Sequence, residues 1–270
     1  MKRLLAKLGD HLRLHASHIW TPRDRLKIKQ TRIGACRLVV AVNEDVGREI
    51  YYRGTYEPSE TQFLMGVLRE DDVCFDLGAN VGYFTTLMAT ISTKGAVHAF
   101  EPDPFNFALL NVNVQINRFR NVILNQIAIG DKSGHSPFVL AKDHAFSSLK
   151  NTGRTGVQEV VDVSITTLDD YVRGSAIQRM DFLKIDVEGA EGSVIDGASH
   201  CLTVESLRPR LMMIELVDQN HAAFGNKVAS IVTGLLQLGY EPFIVKDGHK
   251  EPFVMVHHNK YRNVFFSRKA

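Results

Sequence analysis

Between Asp72 and Pro102 the chain reads D-V-C-F-D-L-G-A-N-V-G-Y-F-T-T-L-M-A-T-I-S-T-K-G-A-V-H-A-F-E-P, and this stretch restricts the fold more than any other. Val73 to Leu77 is a short apolar run, the pattern of a parallel strand buried on both faces. Gly78, Asn80 and Gly82 make a turn of small residues. From Val81 to Ile91 the apolar residues Val81, Phe84, Leu87, Met88 and Ile91 recur at helical spacing, which predicts a crossover helix closed by Lys94-Gly95. Ala96 to Phe100 is a second strand, with Glu101 at its carboxyl end.

Such a strand-turn-helix-strand unit places a ligand. Glycines let backbone approach closely, and the helix N-terminus offers unpaired N–H groups. An acidic residue ending the second strand can accept from both hydroxyls of a ribose. Glu101 lies 25 residues beyond Asp76, near the spacing of roughly 20 expected for that role. The turn is not the dinucleotide pattern, because Asn80 and Tyr83 stand where that pattern needs glycine. Asp76, just before the turn, would repel a pyrophosphate and attract a cationic amino-acid end. S-adenosylmethionine has that end and a ribose.

Three segments carry a family resemblance: D-L-G-A-N-V-G-Y-F, A-F-E-P-D-P-F-N-F-A-L-L-N-V-N and L-K-I-D-V-E-G-A-E. Their order and spacing resemble the FkbM-type S-adenosylmethionine-dependent methyltransferases. Y-E-P-S-E-T from Tyr56, A-I-G-D from Ala128, F-S-S-L from Phe146 and T-L-D-D from Thr167 fit the same pattern, so the resemblance spans about residues 56–197. It implies a class I, Rossmann-like, doubly wound α/β sheet and methyl transfer to an oxygen acceptor. It also implies that the Tyr-Glu-Pro segment lies near the cofactor, where Glu57 can hold the ammonium of the methionine part. In this fold the end of the third parallel strand, expected here at Asn121 to Ile127, faces the adenine, which points to Gln126 and Ala128. The expected cofactor residues are thus Glu57, Asp76, Gly78, Asn80, Gly82, Glu101, Pro102, Gln126, Ala128 and Asp186.

The rest of the chain is read in order. Residues 1–20 form an amphipathic helix, a candidate for peripheral membrane contact or for packing on the domain or a second subunit. Residues 23–32 are a charged linker. Cys36 to Val42 is a strand, with Glu49 to Tyr52 returning as its ribbon partner. The predicted organisation is residues 1–55 as helix, linker and ribbon, and residues 56–270 as the methyltransferase domain. Pro58 to Leu68 and Pro104 to Asn117 are helices. Phe138 to Ala141 and Val157 to Ile165 are extra strands flanking a polar loop, Lys142 to Gly156, of a length often used as a lid. Asp181 to Val187 is strand four and Leu211 to Val217 strand five. Tyr240 to Val245 and Asn263 to Ser267 form an antiparallel pair at the edge.

Charge and cysteines limit function. Residues 1–37 hold ten lysines and arginines against Asp10 and Asp24, so the remainder is net −6 within a total of +2. An acidic body argues against DNA as partner and weakens the alternative of an RNA-modifying enzyme, whose active site would more often be basic. A cofactor-binding module without catalysis is the other alternative. Three cysteines suit a reducing compartment, and no apolar run reaches the roughly 18 residues of a membrane span, so a cytoplasmic protein is expected.

The chemistry is expected beyond the carboxyl ends of the strands. Asp186, Glu188 and Lys184 are the expected catalytic residues in the strand-four turn, with His144 and His221 as further base candidates and Ser147 and Ser148 as acceptor contacts. A nitrogen acceptor on a base would call for an N-P-P-Y-like turn where this chain has I-D-V-E-G. A hydroxyl on a small molecule, sugar or glycan is therefore the expected acceptor. Asp186, Glu188, Glu215 and Asp218 could gather around Mg²⁺, but without fixed ligand spacing no metal is expected.

Overall fold

The computed structural model describes residues 26–269, apart from 32, 34, 226 and 256–261; the helix expected over residues 1–20 lies outside them. The first described elements form an antiparallel ribbon, β1 (Leu26–Gln30) with β2 (Arg37–Ala41). The strand expected at Cys36 to Val42 is β2. Its partner is β1, within the segment read as a charged linker. There Ile28 packs on the core while Lys29 lies over the Tyr51 ring, so basic residues occupy a strand with one wet face.

The strand expected at Glu49 to Tyr52 is instead part of a helix, Asp45–Arg53. Val46 and Ile50 sit four apart and turn inward, Arg53 pairs with Glu49 one turn back at 3.1 Å, and Gly54 closes the helix at φ 70°. Ribbon and helix share the apolar cluster of the main body: Leu38, Val40 and Ile50 pack with Phe84 and Leu109.

The main sheet takes β3 (Val73–Leu77), β4 (Ala96–Phe100), β5 (Val122–Asn125), β9 (Phe182–Ile185), β10 (Leu211–Glu215), β11 (Tyr240–Lys246), β12 (His249–Pro252) and β13 (Asn263–Arg268). Between β5 and β9 a small sheet of β6 (Ala128–Ile129), β7 (Gly134–Ala141) and β8 (Val157–Thr166) stands apart. The eight-stranded order is β12-β11-β13-β10-β9-β3-β4-β5. The run β5-β4-β3-β9-β10 is parallel; β13 is antiparallel to both β10 and β11. The antiparallel strand expected at Asn263 to Ser267 is present but lies inside the sheet, and the antiparallel edge strand is β12.

The chain runs outward from β3 to β5 and then returns to β9 on the other side of β3. The carboxyl ends of β3 and β9 are therefore the switch point where a doubly wound sheet opens a crevice. Strand alternation sorts the core. Cys74 and Phe182 face a cluster with the helices Pro58–Val67, Tyr83–Ile91 and Pro104–Asn117, while Phe75, Leu77, Leu183 and Ile185 face the helices Leu168–Gly174, Glu191–Asp196 and Val228–Gln237. By the same parity Asp76 and Lys184, partners in the parallel register, turn to the side of Tyr83–Ile91.

Two asparagines tie the ribbon to this body. Asn117 and Asn113, one turn apart on Pro104–Asn117, pair with residues two apart on the open edge of β2. Asn117 accepts from Arg37 N–H at 3.0 Å and donates to Arg37 C=O at 2.7 Å. Asn113 accepts from Val39 N–H at 2.6 Å and donates to Val39 C=O at 3.0 Å and Val81 C=O at 2.8 Å. Side-chain amides thus replace a neighbouring strand. Asn113 is fully buried, and Asn113→Ala leaves backbone groups without partners at about 1–3 kcal/mol each. We expect urea denaturation to show a loss of about 2–4 kcal/mol for Asn113→Ala and under about 1 kcal/mol for the half-buried Asn117→Ala. Equal, small losses would show that the ribbon does not depend on this pairing.

Candidate active site

The turn after β3 is built for close approach. Gly78 has φ 77°, and a Cβ there would lie 1.8 Å from the Asp186 carbonyl oxygen. This forces glycine where β3 and β9 diverge. Gly78 N–H and Ala79 N–H donate to Phe100 C=O at 3.0 and 2.9 Å, and Asn80 N–H donates to Glu101 Oε2 at 2.8 Å. Gly82 takes φ 88° beneath Leu110 and is a packing residue.

A cavity opens over these strand ends, with about 840 Å³ of atom-free space. Of the residues expected to meet a cofactor or act in catalysis, Gly78, Asn80, Glu101, Pro102, Ala128, Lys184, Asp186 and Glu188 line it. Gln126 is exposed, and Ile127 with Ala128 forms the wall at that strand end. A second, more open cleft adjoins at Val46, Tyr56, Ala145 and Arg262 and runs out between Arg48, Tyr52, Arg53 and Arg154.

Glu101 is 5% exposed. Its Oε1 accepts from Asp103 N–H at 2.8 Å. Burial and then the Asp103 carboxylate push its pKa up to about 8, against the two backbone donors and Lys184.

Asp76 does not reach the cavity wall. It is fully buried, accepts from Thr85 Oγ1 at 2.6 Å and lies 3.5 Å from Lys184 Nζ. The expectation that its charge faces the ligand is corrected by these contacts, which hold it between Thr85 and its register partner Lys184. Lys184 is corrected with it. Nζ donates to Asp186 Oδ2 at 3.1 Å and to Gly78 C=O at 3.3 Å. Burial disfavours the ammonium, but Asp186, Asp76 and Glu57 outweigh it and hold the lysine above its ordinary pKa. A lysine held charged cannot serve as base.

Asp186 differs from the other acids here. Burial opposes its ionisation, and Lys184, Arg262 and Arg154 outweigh burial, so its pKa falls below the ordinary value. Glu188, at φ 54°, goes the other way: burial, Glu215 and Asp186 raise it well above the usual range against Arg154 and Arg262. It accepts from Arg154 at 2.7 Å, Asn220 at 2.8 Å and Arg262 at 3.3 Å. Asp186, Glu188 and Glu215 each place an oxygen within 4.8 Å of the others; Arg262 also bonds Glu215. Asp218 is not part of that group.

Glu57 takes φ 44° at the head of Pro58–Val67. Burial and Asp186 raise its pKa to about 8, and its buried Oε2 has no hydrogen-bond partner among the described residues. Ser148 Oγ donates to Glu188 C=O at 2.8 Å, fastening the loop 142–156 to the strand-four turn, while Ser147 lines the cavity. His221 is 1% exposed, behind that turn and 3.6 Å from Glu191. His144 lines the cavity. Arg154 and Arg262 went unrecognised in the sequence. Arg262 meets Glu188 from 74 residues away, and no local pattern announces it.

The Methyltransferase FkbM domain matches residues 76–242, more than half of the chain. Hexuronic acid methyltransferase AglP of Haloferax volcanii is 27% identical over 198 residues, 73% of this chain and 77% of its own. The 31-O-demethyl-FK506 methyltransferase FkbM of Streptomyces tacrolimicus is 31% identical over 48% of this chain and 60% of its own. The 2-O-methyltransferase NoeI of Sinorhizobium fredii is 27% identical over 56% and 65%. The crystal structure of methyltransferase FkbM from Methylobacillus flagellatus aligns with 80% of this chain and 49% of its own at a TM-score of 0.50 and 15% identity, a likeness of fold. With the domain match extending from the β3 carboxylate through the strand-four turn into β11, the chain belongs to the FkbM methyltransferase family.

Proposed function

We propose that this protein uses S-adenosylmethionine to methylate a hydroxyl on a sugar or glycan. The observation that carries the reading is the buried Glu101 carboxylate on the cavity wall beside the Gly78–Asn80 turn. It supplies a ribose acceptor where backbone comes close enough to bind. The residues fit the cofactor at its other end as well. The orphaned Glu57 Oε2 suits an ammonium, and Asp186, with its lowered pKa, suits a sulfonium. When bound, the cofactor supplies an electrophilic methyl group. The chain's part is alignment, worth up to about 7–11 kcal/mol for well-oriented reactants.

The open cleft beside the cavity is the acceptor's route. Tyr52, 74% exposed, offers a ring for a sugar face, and Glu188 holds Arg154 and Arg262 at the junction. Two relatives carry O-methylation in their names and a third carries hexuronic acid, which supports an oxygen acceptor of the sugar class. Three buried, unpaired cysteines fit the reducing cytoplasm. Among the described residues no helix is long and apolar enough to cross a membrane.

The reading is tested by giving the protein labelled S-adenosylmethionine with methyl glycosides of hexuronic acids, neutral hexosides and transfer RNA. Label is expected in a sugar hydroxyl; label in RNA alone, or in none of them, overturns the reading.

Glu101 gives a pH signature. A carboxylate accepts from both ribose hydroxyls with charge-assisted bonds, whereas a carboxyl group gives up one accepting oxygen and the charge, so binding favours loss of the proton. Because the pKa is raised to about 8, affinity for S-adenosylhomocysteine should rise with pH, by up to about tenfold per unit, and level off above it. Calorimetry on Glu101→Gln should find at least about tenfold weaker binding, from lost charged hydrogen bonds of about 1.5–3 kcal/mol each, and a shallower pH profile, the remaining slope belonging to Glu57. An unchanged slope in that variant removes Glu101 from the ribose site.

Lys184 is expected to act as a strut. Lys184→Met leaves Asp76 and Asp186 without their shared cation, and should lower unfolding stability by about 3–5 kcal/mol. A stable variant that had lost only turnover would restore the lysine as base.

A further inference from the structure

The loop between β7 and β8 folds back over the cavity and fixes a histidine in its wall. His144 Nδ1 lies 2.7 Å from Asp103 Oδ2, with the two side chains 3% and 0% exposed. Asp103 cannot swing away, because its Oδ1 caps Pro104–Asn117 by accepting from Phe105 N–H at 2.8 Å and Asn106 N–H at 3.4 Å. The imidazole packs 4.7 Å from the Phe105 ring. The His144 backbone is held at both ends: its N–H donates to Glu44 Oε2 at 2.7 Å, and its carbonyl accepts from Asn106 Nδ2 at 3.0 Å. An ionised Asp103 only accepts, so Nδ1 carries the hydrogen and Nε2 offers a lone pair. Nε2 has no hydrogen-bond partner among the described residues, and His144 lines the same cavity as Glu101 and Asp186.

We propose that His144 is the general base of the transfer, with Asp103 holding its ring in the accepting tautomer. This rests on the O-methylation reading above. The acceptor hydroxyl gives its proton to Nε2 as its oxygen bonds the methyl carbon. The bond from that carbon to sulfur breaks, and its electron pair stays on sulfur, leaving S-adenosylhomocysteine. Asp103 then faces an imidazolium and stabilises it.

The other candidates are engaged elsewhere. Lys184 is held protonated, Asp186 is paired with it, Glu188 is bonded by two arginines and Asn220, and His221 lies behind the turn. Charged groups face His144 from three elements: Asp103 from the head of Pro104–Asn117, Glu44 from ahead of Asp45–Arg53, and Asp143 from its own turn. Burial lowers the imidazole pKa, and these three acids outweigh burial and raise it above the ordinary value. The neutral ring is the active form, so the rate should climb with pH through that raised pKa and then level.

Wild type and His144→Gln are assayed with S-adenosylmethionine and methyl β-D-glucuronoside, methyl β-D-glucoside or transfer RNA across about pH 5.5–9.5, a range bracketing imidazole titration. We expect His144→Gln to lower kcat by about 10²–10⁴-fold, erase the acidic limb and leave S-adenosylhomocysteine affinity within about threefold. Added imidazole should restore part of the rate to His144→Gly. NMR of wild type should show one histidine ring, absent from the variant, titrating above the ordinary value. An unchanged kcat and limb in His144→Gln, or an equal loss of kcat and cofactor affinity, overturns the proposal while transfer by wild type stands. Wild type inactive on every acceptor overturns both readings. Should the variants fail to fold, a wild-type His144 ring that shows no titration across the range overturns this one alone.

Discussion

The site depends on one buried cation. Lys184 joins β3 to β9 through their side chains, with Asp76 on one strand, Asp186 at the end of the other and the Gly78 carbonyl between them. At a switch point two parallel strands separate, and the backbone that would have paired is left open. Here the opening is braced by an ammonium shared between carboxylates. A buried pair of this kind adds little net stability over an apolar packing, yet removing one partner is costly. What the arrangement supplies is position: one ammonium ties the glycine turn to Asp186 and to the interior carboxylate of Asp76.

Around that strut the acids outnumber the cations, and this sorts the carboxyl groups by role. Glu57, Glu101, Glu188, Glu191 and Glu215 are all raised by burial, whereas Asp186, nearest the lysine, is lowered. Glu191 shows the structural use of such a group: its Oε1 accepts from Val187 N–H at 3.0 Å and Gly189 N–H at 3.1 Å, shaping the turn that presents Glu188. A cavity lined by carboxyl groups of raised pKa takes up positive charge readily, because a cationic ligand favours their ionised form.

The sequence made the parallel core legible because its signals are local. Apolar runs, the D-L-G-A-N-V-G turn and Glu101 at a strand end follow from spacing alone, and all fall where expected. The errors have physical causes too. Asp45–Arg53 was read partly as a strand because I-Y-Y is β-prone, whereas burial of Ile50 and the contact of Gly47 with Ala41 select a helix. Asp76 was expected to face the ligand because it stands just before the turn and its charge suits a cationic end; its bond to Thr85 and its pairing with Lys184 hold it in the interior instead. Arg154 and Arg262 could not be read, since their partner Glu188 is 34 and 74 residues away and ion pairing across such distances leaves no periodic trace.

The least predictable part is the cover of the cavity, and its stitching shows why. Asp143 Oδ2 accepts from Asp45 N–H at 3.0 Å, and Glu44 Oε2 accepts from His144 N–H, so the loop 142–156 and the helix Asp45–Arg53 each cap the other with an acidic side chain. The helix is anchored through β2 to Pro104–Asn117, and the loop through Ser148 to the strand-four turn. Val46 in the cavity wall, and Glu44 through its bond to the His144 backbone, therefore help to shape the cavity. The stitch is sensitive to protonation: burial and Asp143 raise Glu44 to a pKa of about 7, so near neutral pH it exchanges a proton while bonded to the backbone of the proposed base. Losing that proton strengthens the acceptor for His144 N–H and adds negative charge beside the ring.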